Sequence, residues 1–591
     1  MKKLLLLLLV SASLLSYCEI VRASPADLLG PNGWFLSTPH PGDATLTQTI
    51  PTDGSGPAET ITVTTPADPF YMIQMIRDIQ GVIPAGHHLQ IQFSARSATL
   101  NPIRVSIEKT AAPYTAVTAK LITLTPDWKD YTIDGTSVDF VPAGINVHFQ
   151  VGQQIGSIQL KDITVRDLGM DPGIAVAELA LKPDQIQARI EKYRKGTLTV
   201  TVLDAAGRPV KNVLVTITQT RHAFLFGCNA FGYNPNDTSD AQKAYQDRFA
   251  ALFNYATLPF YWGAFESQQG NPDYARLRAM ADWCHQHGIT PKGHPLVWQQ
   301  VWPSWAPTDP DAAIPVLHAR VHDLVTHYKN SIHYWDVVNE ANSSASYTPP
   351  NGESLWIKRD GPASVVETAL GWARAAGQGN QETFLYNDFD TTQDNIDLLT
   401  QIKKDGKLPD AIGIQSHMHQ GTWPLTKIWE VCQDFAQFGR PIHFTETTIL
   451  SGPVQTTNGT QVFLPTTPDG EAAQADYVTK FYTILFSHPS VRAITWWDFS
   501  DRNSWMNAPA GFLRADMSPK PVYTELMDLI HKTWWTDATV RSDDHGRATK
   551  RVFYGAYTVT ATDSQGHSVH QNVFFPESSL VMNVTVRLER K

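Results

Sequence analysis

The chain has 591 residues, too many for one ordinary domain, and its 42% hydrophobic and 18% charged residues are typical of a folded, water-soluble protein. A formal net charge of −10 without any basic tract disfavours binding to nucleic acid or to an anionic membrane. A neutral polymer is the more natural partner, and a monomer is expected.

The first 23 residues have the pattern of a secretory signal. Met1 to Lys3 form a basic start, and the apolar run from Leu4 to Leu15 is too short for a membrane span. Val21 to Ala23 offer a cleavage site, so we expect a secreted or periplasmic protein. Cys18 opens a lipoprotein alternative, which the bulky Tyr17 before it disfavours. No other segment is predicted to cross a membrane.

Residues 28–168 are predicted to form a β-sandwich, because short stretches of alternating apolar and polar residues are separated by Pro, Gly and Asp turns. The opening Gly33-Trp-Phe35, the turn at 125–128 and the closing strand at 158–165 resemble jelly-roll carbohydrate-binding modules. These features mark the sandwich rather than a ligand. Three aromatic side chains could stack on sugar or belong to the core and strand ends: Trp34, Tyr71 and Trp128.

A smaller β unit is predicted from two distant pieces, residues 190–220 and 536–591. Each piece has alternating strands, but neither has enough of them to bury a face alone. We therefore expect the two pieces to pair into one split sandwich with everything between them inserted. Both resemble halves of the transthyretin-like or immunoglobulin-like modules found beside secreted enzymes.

Residues 221–535 alternate between strand and helix patterns. Eight strand candidates occur in this region: 225–227, 254–258, 289–292, 334–338, 383–385, 411–414, 442–445 and 493–495. Eight strand–helix repeats predict an α/β fold, a (β/α)8 TIM barrel, in which catalytic side chains lie at the C-terminal ends of the strands.

Two glutamates close predicted strands of this barrel. Glu340 ends the fourth strand in Trp335-Asp-Val-Val-Asn-Glu340, and Glu446 ends the seventh in His443-Phe-Thr-Glu446. Two carboxyl groups facing one cleft suffice to break a glycosidic bond, since one protonates the leaving oxygen and the other attacks or supports the anomeric carbon. An isolated strand-end Glu is usually structural, but the surrounding sequence reverses that interpretation.

The barrel region, a little over half the chain, resembles glycoside hydrolase family 10, whose typical members are endo-β-1,4-xylanases. Five motifs in order carry the resemblance: Gly293-His-Pro-Leu-Val-Trp298 with Trp302-Pro-Ser-Trp305, Trp335 to Glu340, Gln415-Ser-His417, Thr445-Glu446, and Trp496-Trp497 through Trp505. One such match would be weak, but five in the same order are specific.

The resemblance implies that Glu340 is the general acid/base and Glu446 the nucleophile of a retaining double displacement. It implies that Asn339 binds the sugar 2-hydroxyl and that His417 orients the nucleophile. The remaining implied substrate-binding residues, around the subsite where the bond breaks, are His294, Trp298, Gln415, Trp497 and Trp505. Without this context, His294 and His417 would be read as ordinary core histidines. No cofactor or metal is needed for the implied mechanism, and no metal-binding motif is present in the sequence.

Two positions depart from the family pattern. The second strand lacks the Asn and Lys that bind sugar on the non-reducing side, and Tyr261 stands where the Lys is expected. Thr448 replaces an Asp expected two residues after the nucleophile. Since the catalytic pair remains, we expect activity with altered subsite preference.

The sequence therefore predicts a secreted xylanase-like hydrolase that cleaves internal β-1,4 bonds of xylan. Two alternatives stay open: a related barrel glycosidase acting on another β-glycan or on decorated xylan, and a glycan-binding protein that has lost turnover.

Overall fold

The computed structural model describes residues 26–81, 83–110, 116–137, 144–377, 382–457 and 460–588. The predicted signal segment, residues 1–23, lies outside this range. The chain divides into two units, one up to Val176 and one from Ala177 onward. Among the described helices, none combines the length and the apolar character needed to cross a membrane.

The first unit is a sandwich of two five-stranded antiparallel sheets, with strand orders β1-β4-β9-β6-β7 and β2-β3-β10-β5-β8. Its strands are β1 Phe35–Ser37, β2 Ala44–Thr49, β3 Ala58–Val63, β4 Gln74–Asp78, β5 His87–Arg96, β6 Ile103–Lys109, β7 Ala116–Ile122, β8 Lys129–Thr136, β9 Ile145–Gln150 and β10 Gly156–Met170. Alternate residues such as Ile91, Val105 and Phe149 are fully buried between the sheets. Trp34 packs edge-on against Phe149 at 5.7 Å, so it contributes to this core.

Eight parallel strands close into a barrel in the second unit, which confirms the predicted (β/α)8 fold. In barrel order they are β13 Leu225–Asn229, β14 Tyr255–Pro259, β15 Thr290–His294, β16 Tyr334–Asn339, β17 Thr383–Asp388, β18 Ala411–Met418, β19 Ile442–Ile449 and β22 Val491–Trp496. A small hairpin follows β19, formed by β20 Val454–Thr457 and β21 Thr460–Phe463.

The helices surround the barrel or join it to the flanking sheets. They are α1 Pro172–Ala180, α2 Pro183–Tyr193, α3 Asp240–Leu252, α4 Trp262–Phe265, α5 Tyr274–Gln286, α6 Pro310–Tyr328, α7 Ala341–Ser344, α8 Gly352–Asp360, α9 Pro362–Gly377, α10 Gln393–Lys404, α11 Leu425–Ala436, α12 Pro468–Ser487 and α13 Pro521–Asp528. Side-chain caps begin several of them; for example, Ser239 accepts a hydrogen bond from the backbone of Gln242 at the start of α3.

Two small sheets combine strands from both sides of the barrel sequence. Their orders are β24-β11-β27 and β23-β12-β25-β26. The strands are β11 Lys195–Asp204, β12 Leu214–His222, β23 Asp537–Arg541, β24 Arg547–Phe553, β25 Gly555–Thr562, β26 Ser568–Phe575 and β27 Val581–Leu588. Both neighbours of β11 and both neighbours of β12 come from the region after Trp535.

Arg194 connects these sheets to the barrel. It precedes β11, is 2% exposed, and donates hydrogen bonds to the carbonyls of Phe486, His488 and Val491 at 2.5–2.9 Å, just before and within β22. Burial lowers the pKa of Arg194 to about 10 and the carboxylate of Glu577, 3.5 Å away, opposes that shift. The guanidinium remains charged and joins the two parts of the unit.

Candidate active site

Glu340 immediately follows β16 at the C-terminal end of the barrel. Its backbone has φ 60° and ψ 41°, a left-handed conformation that costs energy for a non-glycine residue. The Glu340 N–H donates to the carbonyl of Asn387 at 2.9 Å, which holds this turn. Glu446 lies inside β19, which continues to Ile449, so the expectation that it ends the seventh strand is wrong. The pairing of β18 with β19 shifts register beside Glu446, and this irregularity explains why the strand end was misplaced.

The Glu340 carboxylate is 8% exposed and accepts hydrogen bonds on both oxygens. The Trp298 indole N–H donates to Oε2 at 3.0 Å, and the Gln415 amide donates to Oε1 at 3.0 Å. Gln299 donates a longer bond of 3.4 Å to Oε2. Burial and the negative charge of Glu446 raise the pKa of Glu340, and they outweigh these donors. The geometry therefore favours a protonated acid here.

Glu446 has the opposite electrostatic environment. Burial alone would raise its pKa, but the hydrogen bond with His417 Nε2 at 3.1 Å and the charges of His294 and Lys292 lower it. The Asn387 amide donates to Oε1 at 2.7 Å, and His294 Nε2 lies 3.8 Å from the same oxygen. Glu446 is therefore held as a carboxylate.

Asn339 and Asn387 connect the two glutamates through one hydrogen-bond network. The Asn387 amide donates both to Glu446 and to Asn339 Oδ1, each at 2.7 Å. The Gln415 amide donates to Asn339 Oδ1 at 3.3 Å as well as to Glu340. Sequence reasoning missed Asn387, which lies within β17; its position shortly after the predicted apolar segment 383–385 was the available signal.

A buried charge cluster orients His294. Asp336 Oδ2 lies 2.6 Å from Lys292 Nζ and 2.8 Å from His294 Nδ1, and the side chains of Asp336 and Lys292 are fully buried. Burial would raise the pKa of Asp336, but the charge of Lys292 and the hydrogen bond from His294 lower it. With Nδ1 bound to Asp336, His294 presents Nε2 to the cleft. Lys292 and Asp336 were also missed, although charged residues inside predicted apolar strands could have indicated them.

Aromatic rings form the walls of the cleft. The Trp497 ring lies 5.6 Å from His294 and 5.9 Å from His417. Trp505 lies 4.7 Å from His417 and remains 47% exposed. Tyr261 packs 5.2 Å from Trp298, so an aromatic ring occupies the position where the family resemblance implies a lysine.

Two further buried acids, Glu353 and Asp388, interact electrostatically with Glu340. Burial raises the pKa of Glu353 on α8 to about 8, against a hydrogen bond of 2.5 Å from Ser344. Burial also raises the pKa of Asp388 to about 6, although it accepts a hydrogen bond of 2.5 Å from the Tyr386 hydroxyl. The charge of Glu340 contributes to both shifts. Sequence reasoning singled out neither acid.

The nine predicted site residues all lie at the C-terminal end of the barrel, on five strands or in the loops that follow them: β15, β16, β18, β19 and β22. Their chemical roles stay predictions. Within the described ranges, no group of three or more His, Cys, Asp or Glu side chains is arranged to hold a metal ion.

The sequence model of glycosyl hydrolase family 10 matches residues 218–529, which is more than half of the chain. The chain belongs to glycosyl hydrolase family 10. The family predicted from the five motifs is thus confirmed, and the barrel is a glycosyl hydrolase family 10 domain.

Several curated proteins are similar to the chain at low sequence identity. The chain is 25% identical over 324 residues to endo-1,4-β-xylanase B of Thermotoga neapolitana, covering 51% of this chain and 88% of that protein. It is 26% identical over 386 residues to the anti-sigma-I factor RsgI6 of Acetivibrio thermocellus, covering 64% of this chain but only 46% of that protein. The chain is 23% identical over 393 residues to endo-1,4-β-xylanase 5 of Arabidopsis thaliana, covering 61% of this chain and 59% of that protein.

Among solved structures, xylanase 10B from Thermotoga petrophila RKU-1 in complex with xylobiose is 23% identical, with a TM-score of 0.45. The match covers 53% of this chain and 95% of that one.

Proposed function

We propose that this protein is a retaining β-1,4-glycanase that acts on xylan. One observation carries the proposal: Glu340 and Glu446 share a hydrogen-bond network at the C-terminal end of the barrel, and their pKa values shift in opposite directions. Opposite pKa shifts of this kind allow one carboxyl group to be protonated as the acid while the other is ionised as the nucleophile at the same pH.

In the proposed reaction, ionised Glu446 attacks the anomeric carbon while protonated Glu340 gives its proton to the leaving glycosidic oxygen. Glu340, now a carboxylate, then removes a proton from water as that water displaces Glu446. Asn339 is oriented by two bonds to its Oδ1, which turns its Nδ2 towards the sugar 2-hydroxyl. His417 and Asn387 steady the nucleophile.

Xylan is supported as the substrate by relatives that are named endo-1,4-β-xylanases. Tyr261 supports an altered preference, because it offers a ring where a lysine would offer a charged donor. Another β-glycan or a decorated xylan remains the second candidate substrate, and a binding protein without turnover is the third possibility.

The test uses purified Glu340→Ala and Glu446→Ala proteins, with Glu525→Ala as the control. Glu525 is exposed on α13, outside the site. We expect both site variants to lose nearly all release of reducing sugar from xylan, and the control to retain it. A polysaccharide panel identifies the glycan, and NMR of the first product, which should be the β-anomer, tests retention. Near-normal hydrolysis by both site variants would contradict the proposal.

We further propose that the N-terminal sandwich binds glycan through the outer face of the sheet that contains β4, β9 and β6. His148 and Ser106 are register partners on this face, and they point away from the core yet are 8% and 0% exposed. His148 Nδ1 bonds to Gln74 Oε1 at 2.9 Å, whereas its Nε2 is buried and has no partner within the described part of the chain. Burial lowers the pKa of His148, so the neutral ring leaves Nε2 as an acceptor for a sugar hydroxyl.

Apolar side chains flank this polar strip. Phe35 on β1 lies in the same cross-strand row as His148, and Leu121 on β7 lies in the same row as Gln74. Their side chains are 47% and 61% exposed, respectively. The Trp128 ring is less available for stacking on a sugar, because Arg96 and Lys161 each lie 4.7 Å from its centroid. Retention on xylan during affinity electrophoresis of the Glu446→Ala protein should fall with His148→Leu and Phe35→Ala and persist with Tyr71→Ala. The reverse pattern would place the site elsewhere.

We also propose that the protein is exported from the cytoplasm and that it is a monomer. Fractionation of the producing cells should find the protein outside the cytoplasm with an N-terminus near Ser24, and light scattering should give the mass of one chain.

A further inference from the structure

A second cavity opens on the same end of the barrel as the two glutamates. It has a volume of about 320 Å³ and lies between the loops that follow β13 and β22, and we call it the β13–β22 pocket. This volume falls within the range of small-molecule sites. Its lining includes Asn229, Phe231, Gln242, Tyr245, Asp498 and Arg502.

The Gln242 side-chain amide is a buried polar group in the lining of this pocket. Gln242 is 6% exposed, and its Nε2 has no hydrogen-bond acceptor among the residues that the structure describes. An unpaired buried amide is costly, and most such groups in folded proteins are satisfied. A ligand oxygen in the pocket would supply the missing acceptor.

The pocket lies close to the catalytic cleft. Phe231, from its lining, packs against Trp497 at 5.1 Å and against Tyr261 at 5.4 Å, and both of these rings lie within 6 Å of His294. Asp498, also in the lining, accepts a hydrogen bond from the backbone of Trp505 at 2.7 Å. A polymer held in the cleft can therefore place another of its units in the pocket.

The chemistry of the lining indicates what that unit is. Tyr245 and Phe499 supply an aromatic surface, and amides, a hydroxyl and carboxylates supply donors and acceptors around it. Two carboxylates, Asp237 and Asp498, against one guanidinium, Arg502, disfavour an acidic ligand. A neutral ring with several hydroxyl groups fits both parts of the lining.

We propose that the β13–β22 pocket is an accessory subsite for a neutral monosaccharide unit of the substrate. The inference rests on the proposed glycanase function. The bound unit is either a main-chain sugar or a side-chain substituent, such as arabinose, since the two share the same recognition chemistry.

Two variants test the pocket, with one matched control. Asn234→Trp fills the pocket from an exposed lining position, and Gln242→Leu removes the unpaired donor with little change in shape. Asn236→Trp places the same bulk on the same loop at an exposed position outside the lining. The substrates are 4-nitrophenyl β-xyloside, linear xylohexaose, an arabinose-substituted xylooligosaccharide and a glucuronic-acid-substituted one.

We expect kcat/KM of both pocket variants to fall about tenfold on the oligosaccharide that reaches the pocket, since one lost hydrogen bond contributes about that factor. The aryl xyloside should be unaffected. Loss on xylohexaose identifies a main-chain unit, whereas loss only on the arabinosylated substrate identifies a substituent.

Two outcomes would overturn the inference. If both pocket variants match Asn236→Trp on every substrate, the pocket holds water only. If the largest loss occurs on the glucuronic-acid-substituted substrate, the ligand is not neutral. If the parent protein hydrolyses none of the substrates, the glycanase proposal fails, but the subsite proposal can still be tested. Calorimetry of the same oligosaccharides with the parent and with Asn234→Trp then shows whether the pocket binds sugar.

Discussion

The hydroxyl oxygen of Thr448 lies 2.7 Å from Nδ1 of His417, whose Nε2 lies 3.1 Å from Glu446. A neutral imidazole that donates from Nε2 must accept at Nδ1, and a threonine hydroxyl can be the donor there. An aspartate, which the family resemblance implies at this position, could only accept a hydrogen bond. Thr448 can therefore donate to Nδ1 of His417 while Nε2 of the same ring donates to the nucleophile.

Thr448→Val should lower kcat on xylan about tenfold, because the near-isosteric change removes one hydrogen bond that fixes His417. Thr448→Ser keeps the hydroxyl and should retain most of the activity. Steady-state kinetics of the two variants provide the measurement. Equal activity of the Val and Ser variants would show that the hydroxyl does not position His417.

Trp298→Phe should move the alkaline limb of the kcat/KM profile to higher pH. The Trp298 indole donates to the Glu340 carboxylate and favours its ionised form, so its loss raises the pKa of Glu340 further. Glu340 acts while protonated, and a higher pKa keeps it protonated over a wider range. Trp302→Phe is the control, because the Trp302 indole N–H has no hydrogen-bond partner in the described ranges. An acid shift with Trp298→Phe would contradict this account.

Glu353→Gln should change how stability depends on pH. Burial raises the pKa of Glu353 from 4.5 to about 8, so the folded protein keeps a proton that the unfolded chain releases above pH 4.5. This group's contribution to stability is fully present below pH 4.5 and is lost as the pH rises towards 8, by about 1.4 kcal/mol per pH unit within that window.

The uncharged Gln avoids this loss. Urea unfolding at pH 5 and at pH 8 should therefore show that the variant gains stability relative to the parent at the higher pH. Glu525→Gln, at an exposed position, should show no such difference. A constant difference between Glu353→Gln and the parent across this range would mean that Glu353 titrates normally.

Truncation after Trp535 should destabilise residues 190–220. It removes both hydrogen-bonded neighbours of β11 and of β12. Limited proteolysis followed by mass spectrometry should detect new cleavage in this segment, with the α3–α5 region as the internal reference. Protection equal to that of the full chain would show that β11 and β12 are stable without these partners.

The eight barrel strands could be predicted because their apolar runs and the helical stripes between them are local patterns. Glu340 could be located because it directly follows such a run. The strand containing Glu446 was harder, since the irregular pairing of β18 and β19 depends on a neighbouring strand. Asn387 and Lys292 act through partners on other strands, and only the closed barrel brings those partners within hydrogen-bond distance.

The role of an aromatic residue likewise depends on contacts with residues that are distant in sequence. Trp34 and Trp128 look equally suited to sugar from the sequence, but Trp34 contacts the core and Trp128 lies under two cations. The outer face around His148 depends on the register of three strands that are far apart in sequence.

The pairing of β11 and β12 with strands that follow the barrel affects the order of folding during synthesis. A ribosome releases β11 and β12 before any of their partner strands, and the whole barrel emerges in between. The β24-β11-β27 sheet can close only after β27 has left the exit tunnel, and the β23-β12-β25-β26 sheet only after β26 has, so we expect both sheets to assemble after the barrel strands have emerged.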